Sequence, residues 1–241
     1  MKASKTAAPV IEVASSTQPL AAVSSDAEYR YELSPDLVML SDTRFAEAEA
    51  IRTVRTHVMA RHMEDGRRGL AVCAATAGVG CSFTAANLAV ALSQAGIATL
   101  LIDGDLRAPQ IQTFIKPSVP TAGLKQCLAA PDRPASDFTH QEVLPNLSVM
   151  YAGGVAHDAQ ELLASEAFKR LIERCLRDFQ FTIIDTPAAA DVADALRIGS
   201  VIGYTLIVAK AHTTRSSEVA VLARQLQGDG AEIVGAVLND N

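Results

Sequence analysis

The 241-residue sequence has no tryptophan, only four tyrosines and only four cysteines, and its 21 basic side chains are outnumbered by 27 acidic ones. Each shortage excludes something. Cys73, Cys81, Cys127 and Cys175 are scattered without a CxxC pair, which rules out a zinc knuckle or a disulfide framework and fits a reducing cytoplasm. The net charge is −6, and no cluster of Lys and Arg exists beyond Arg67-Arg68. Nucleic acid is therefore set aside as a partner, since phosphate backbones are bound by clustered cations. Long apolar runs are also missing. The longest, Ile198–Ala209, is interrupted by glycines, a serine and a threonine, short of the ~20 apolar residues of a spanning helix. Lys2 and Lys5 are followed by Glu12, Ser15 and Ser16 rather than by the apolar core of a secretory signal. The expectation is a cytoplasmic protein without direct membrane insertion.

What is present is a globular composition, 49% apolar, of a size for one domain and a tail. Residues 1–41 are rich in Ala, Ser, Thr and Pro without sustained periodicity, and read as a mobile tail, with short order expected near Leu33–Leu40, before a domain at 42–241. From Asp42 to about Met63 the pattern is helical. Strands are then expected at Leu70–Ala75, Ala98–Asp103, Leu147–Tyr151, Phe181–Asp185, Tyr204–Ala209 and Glu232–Leu238. Helices are expected at Ser82–Ala95, Ser165–Asp178 and Ser216–Gln227, the last closed by Gly228. Buried strands alternating with amphipathic helices predict an α/β fold with a mainly parallel sheet covered on both faces.

Three strand ends carry the chemistry. Ala75-Thr-Ala-Gly78-Val79-Gly80-Cys81-Ser82 lies between a strand and a helix, the setting of a phosphate-cradling GxxxxGK[ST] loop. Gly78, Gly80 and Ser82 suit that role, but Cys81 stands at the lysine position and Ala75 at the first glycine. On this segment alone, a purely structural strand–turn–helix connection fits equally well. The second strand end, Asp103-Gly-Asp105-Leu-Arg107-Ala-Pro109, places two carboxylates in the crevice where open α/β sheets bind ligands. Such a pair can hold hydrated magnesium and take a proton from an attacking hydroxyl. The third, Ile183-Ile184-Asp185-Thr-Pro187, has the form of a Walker B carboxylate. Three such ends in this order select a nucleotide-binding fold.

The ordered set of glycine loop, LLIDGDLR and IIDTP resembles the bacterial tyrosine autokinases of capsule and exopolysaccharide assembly, over about Glu47 to Leu238. Leu100–Pro109 matches that family's second, aspartate-rich motif. Glu49, Arg52 and Arg55 match the ExxRxxR signature by which its protomers form rings, although steps of three also describe an ordinary solvated helix face. Gly123-Leu124 and Ala152-Gly153 through Glu161-Leu162-Leu163 are similar to its linker pattern, and the nearest likeness is to stand-alone cytoplasmic kinase-type proteins of sphingan-like systems.

The resemblance implies a P-loop NTPase-like, MinD/ParA-type three-layer fold. It implies an ATP site formed by Gly78, Val79, Gly80, Cys81, Ser82 and Phe83, and Mg2+ held by Ser82, Asp103, Asp105 and Asp185. Asp103, Asp105, Asp185 and Arg107 would act in phosphoryl transfer to tyrosine, with Arg107 near the phosphates. The implied partner is an inner-membrane polysaccharide copolymerase, which would recruit the protein to that membrane and with it control chain length and export.

Two features depart from the family. None of the six lysines lies in the glycine loop, and the usual C-terminal tyrosine cluster is missing. Tyr151 and Tyr204 flank expected strands, leaving Tyr29 and Tyr31 as the candidate acceptors. A thiol at a helix N-terminus also raises the idea of a reactive Cys81. The alternatives are a non-catalytic ring-forming scaffold of the same assembly and, third, a partition or cell-division ATPase.

Overall fold

The structure is a computed structural model that describes residues 30–63, 66–189 and 193–240. The described chain opens with a short strand β1 (Tyr31–Leu33) and a 3-10 turn at Val38–Leu40, then helix α1 (Phe45–Val58), which widens into a π turn at Met59–Met63. Strand β2 (Gly69–Ala74) leads into helix α2 (Cys81–Gln94), and β3 (Thr99–Asp103) into a single turn, α3 (Ile111–Phe114). Then follow β4 (Ile115–Pro117), α4 (Leu124–Ala129), β5 (His140–Leu144), β6 (Leu147–Met150), α5 (Ala159–Ala164) and α6 (Glu166–Asp178). The chain finishes with β7 (Phe181–Asp185), α7 (Asp194–Ile202), β8 (Tyr204–Lys210), α8 (Ser216–Gly228) and β9 (Glu232–Asn239).

Seven strands form one sheet in the order β5-β6-β3-β7-β2-β8-β9, parallel throughout except for β5 against β6. Residues in β2 alternate between the two faces, as a pleat requires. Leu70, Val72 and Ala74 join the core beneath α1 and α2, with Leu88, Leu92 and Ile183. Ala71 and Cys73 face the other side, against Phe168, Ile172 and Ile198 of α6 and α7. Burial on both faces is why these strands read as unbroken apolar runs. The α/β fold with a mostly parallel central sheet is as expected.

Boundaries moved in instructive places. Gly228 remains inside α8, and Gly230, with φ +88°, makes the left-handed turn instead. The helix α7 escaped the sequence reading because its apolar residues merge with those of β8 into one run. The largest revision concerns residues 31–40, expected in the tail with only short order near Leu33–Leu40. β1 pairs antiparallel with β4, and Leu37, Val38 and Met39 are buried. The buried side chain of Asn87 in α2 holds this segment. Its Oδ1 accepts from Met39 N at 3.3 Å, and its Nδ2 donates to the carbonyls of Asp36 and Phe83, both at 3.0 Å. Residues 1–29, including Tyr29, lie outside the described residues.

This amide contacts so much backbone that Asn87→Ala is expected to cost about 2–3 kcal/mol. Urea unfolding measures the loss, and faster proteolysis near residues 36–40 would locate it.

Candidate nucleotide site

The order β3-β7-β2 places the three motif strands side by side, with β7 in the middle. Asp103 and Asp185 are register partners, and Val72 of β2 lies opposite Asp185 on the other flank. The glycine loop and both aspartate motifs therefore open at one carboxyl edge, as doubly wound sheets require. Gly104 makes this closeness feasible. Its N–H donates to the Asp185 carbonyl at 3.0 Å, and a Cβ there would come within 2.6 Å of that same oxygen.

Gly78 and Gly80 take φ of +74° and +91°, and Gly80 is the N-cap of α2. The first N–H groups of that helix, on Cys81, Ser82 and Phe83, have no carbonyl one turn behind them. Together with the helix dipole they make a cradle for an anion. The Phe83 ring itself lies under the Arg44 guanidinium, 6.0 Å from its centroid, so Phe83 can serve the cradle only through its backbone. Val79 is buried and its carbonyl accepts from Asn239 Nδ2 at 3.0 Å, which ties the end of β9 to the loop. That contact, invisible in sequence, joins residues far apart in the chain.

Asp185 is fully buried, and neither of its carboxylate oxygens has a hydrogen-bond partner of good geometry among the described residues. Burial drives its pKa far above the usual carboxylate range, with Asp103 adding repulsion, while the nearby Ser82 hydroxyl and Cys81 thiol hold the shift back. Asp103 behaves differently. Its Oδ1 accepts from Asp105 N, and its Oδ2 from Gln110 N and Ile111 N at 3.1 and 3.0 Å. Burial still pushes it up to about 7, against those backbone donors. Asp105 is half-buried and uses Oδ1 to accept from Arg107 N and Ala108 N.

Orphaned oxygens on Asp185 beside a P-loop hydroxyl are what a hydrated divalent cation would satisfy. Among the described residues no three or more Asp, Glu, His or Cys side chains gather closely enough to hold a metal by themselves. Ser82 and Asp185 suit a cation that keeps its waters, and Asp103 spends its oxygens on the following loop.

Arg107 has a partner that its local sequence did not indicate. Its Nε donates to Asp194 Oδ2 at 2.7 Å and its Nη2 reaches Oδ1 at 3.5 Å. Asp194 is buried in the first turn of α7; an acidic residue opening a helix was its only sequence signal. Cys81 turns its thiol to the Val72 carbonyl at 2.9 Å. Burial and the Asp185 carboxylate raise its pKa well above that of a free thiol, so the idea of an activated thiol fails. Glu49 and Arg52 form an exposed pair at 3.1 Å, whereas Arg55 folds inward toward the Ala91 carbonyl at 3.4 Å. The Tyr31 hydroxyl is bonded to His140 Nδ1 at 2.9 Å, which removes it as a freely accessible acceptor.

A proton shared by folding and by the site sets the sign of a pH effect. Asp103 titrates at about 7 when folded, against a reference value of 3.8. Between those values the folded state binds more protons, so stability of the cation-free protein is expected to fall as pH rises through that window. Urea unfolding in chelator checks it. Asp185→Asn is expected to stabilise the cation-free fold by about 1–3 kcal/mol while removing magnesium-dependent nucleotide binding.

Comparison with known proteins agrees with this geometry. The CobQ/CobB/MinD/ParA nucleotide binding domain matches residues 70–240. CapB of Staphylococcus aureus is 32% identical, the alignment covering 80% of this chain and 83% of that protein. The tyrosine-protein kinase YwqD of Bacillus subtilis is 29% identical, with 85% of each chain covered. EpsB of Ralstonia solanacearum is 31% identical, with 79% of this chain covered, but the match spans only 25% of its length. Among solved structures, the kinase domain of the Escherichia coli tyrosine kinase ETK superposes with a TM-score of 0.79 at 28% identity, covering 87% of this chain and 81% of that one. The chimerical protein CapA2B2 gives 0.77 at 28%, covering 85% and 89%. The cell division ATPase MinD of Pyrococcus furiosus, at 23% identity and a TM-score of 0.61 over 71% of each chain, shares the fold. With its glycine loop and two aspartate strand ends at one sheet edge, the chain belongs to the CobQ/CobB/MinD/ParA nucleotide-binding family and, within it, to the bacterial tyrosine-protein kinases.

Proposed function

We propose that the chain is an ATP-binding, tyrosine-kinase-like protein that governs exopolysaccharide polymerisation, chain length and export beside an inner-membrane copolymerase. The observation that carries the nucleotide site is the buried carboxylate of Asp185, unpartnered among the described residues, beside the N-terminus of α2. Family membership supports the biological setting. Magnesium, when bound, would neutralise charge on the phosphates. Ser82 and Asp185 would hold it, and the N–H groups of Gly80 to Phe83 would cradle the phosphate oxygens. Asp105 would take the phenolic proton of an acceptor tyrosine, a role supported by its partial exposure and by an Oδ2 outside the loop's own hydrogen bonds. Asp103 positions that loop. Arg107 positions α7 through Asp194. Glu49 and Arg52, exposed on α1, support assembly into a ring with further copies.

A second reading, a scaffold that binds nucleotide and partner without phosphoryl transfer, is favoured by one observation. The side chain at the lysine position points inward to a carbonyl and brings no positive charge. Asp103→Asn combined with Asp105→Asn separates the two. Lost polymer with an intact ring supports chemistry; unchanged polymer supports the scaffold.

Magnesium-dependent ATP binding is expected by calorimetry, and none at millimolar nucleotide would end the proposal. Cys81→Lys is expected to tighten binding tenfold to a hundredfold, about 1.5–3 kcal/mol, by restoring a charged contact. Labelled ATP with and without the copolymerase's cytoplasmic segment then tests transfer.

A further inference from the structure

Two cavities that take no part in the nucleotide site share Ala135 and Arg174 as a common wall. The larger, about 490 Å³, lies at the amino edge of the sheet, where Thr99 opens β3 and Ser148 stands near the start of β6. Asp103 ends the same β3, about 13 Å further along the strand at ~3.3 Å per residue.

The smaller cavity, about 60 Å³, is lined by Arg133, Arg170 and Arg174. Arg170 and Arg174 stand one turn apart on α6, where like charges are neighbours and repel. Among the described residues, neither guanidinium makes a hydrogen bond or an ion pair. Arg133 is held in place. Its Nε and Nη2 both donate to Asp137 Oδ2, at 3.0 and 2.7 Å, and its guanidinium lies 4.9 Å from the Phe138 ring centroid. Three cations against one bonded carboxylate leave the cavity strongly positive. A phosphate monoester, at about −1.5 to −2 near neutral pH, matches that excess. Planar guanidinium groups also suit its oxygens, which they bind in pairs.

The larger cavity has a different chemistry. Gln141 and Glu142 are successive residues of β5, yet both are exposed and both line it. A regular pleat would send them to opposite faces. Glu142 instead takes φ +49°, uncommon for a residue with a side chain, and the pairing of β5 with β6 shifts register between His140 and Leu144. This bulge brings two adjacent polar side chains to one cavity. Asp178 adds a second carboxylate and Phe179 an apolar wall. Carboxylates there oppose a second anion, but they accept hydrogen bonds from hydroxyl groups, as the Gln141 amide both donates and accepts. An anion subsite thus adjoins a hydroxyl subsite of ligand size.

We propose that the two cavities together bind a phosphorylated sugar, its phosphate monoester against Arg170 and Arg174 and its hydroxyls against Gln141, Glu142 and Asp178. Arg174, common to both walls, spans the two parts of the ligand. The site is independent of the nucleotide reading above and survives its failure.

Calorimetry on the full chain in chelator tests this, with glucose 1-phosphate, inorganic phosphate and glucose as probes. Glucose 1-phosphate is expected to bind about tenfold tighter than phosphate, with glucose weaker still. Arg170→Gln combined with Arg174→Gln is expected to weaken glucose 1-phosphate by about tenfold to a hundredfold. Both side chains are exposed, so urea unfolding is expected to show an unchanged fold. Gln141→Ala is expected to weaken glucose 1-phosphate several-fold and to leave inorganic phosphate unchanged. A control variant, Gly78→Asp, sets a carboxylate in the phosphate cradle, where an added Cβ meets nothing within 4 Å. It is expected to change neither probe. No binding of glucose 1-phosphate at about 10 mM would overturn the proposal, as would wild-type affinity in the double arginine variant. Equal affinity for phosphate and glucose 1-phosphate would reduce the site to an anion pocket and overturn the sugar. Loss of binding in Gly78→Asp would place the ligand in the nucleotide site and overturn the whole.

Discussion

The carboxylate of Asp185 is buried, among the described residues without a well-aligned hydrogen-bond partner, at the end of the middle strand of a mostly parallel sheet, and the organisation of the site follows from it. A charge so placed is costly in the protein alone. Its neighbours do not relieve it, because Asp103 repels it and the Ser82 hydroxyl offsets only part of the penalty. The fold has accepted a locally unfavourable electrostatic arrangement at the one edge where a cation and phosphates would reverse it. Strain of this kind, held by the surrounding core, is what a binding site looks like before its ligand arrives.

The neighbouring carboxylates divide the work that a motif would assign to them jointly. Asp103 sits on β3, directly beside β7, yet its oxygens bind three backbone N–H groups of the loop that follows. It acts as the clasp of that loop. Asp105 remains partly open to solvent. Arg107, adjacent in sequence, turns away to Asp194. Three charged residues within five positions thus have three separate tasks, each set by which strand or helix happens to stand opposite.

The glycine loop shows the same economy. Positive φ at Gly78 and Gly80 points backbone donors at the cradle, and the dipole of α2 adds to them. Cys81 leaves these untouched, because its thiol is satisfied by a β2 carbonyl. Losing the lysine therefore removes charge from the site without disturbing the geometry that binds phosphate.

The sequence by itself determined the parallel sheet and the location of the site. Runs such as Leu-Leu-Ile-Asp103 and Ile-Ile-Asp185 are legible because burial on both faces demands continuous apolar strands, and a carboxylate ending one marks the sheet's carboxyl edge. Tertiary structure decided the rest. Residues 31–40 read largely as tail because their apolar run, Leu37–Leu40, is too short to show a period, yet Asn87 pins their backbone to α2. Asn239 meets Val79, Arg107 meets Asp194 and Tyr31 meets His140 across gaps of 160, 87 and 109 residues. Local pattern records periodicity and turn chemistry along the chain. It holds no record of which distant side chain will face a given atom once the sheet order is set, and that is where the partners of these residues, and so their roles, were chosen.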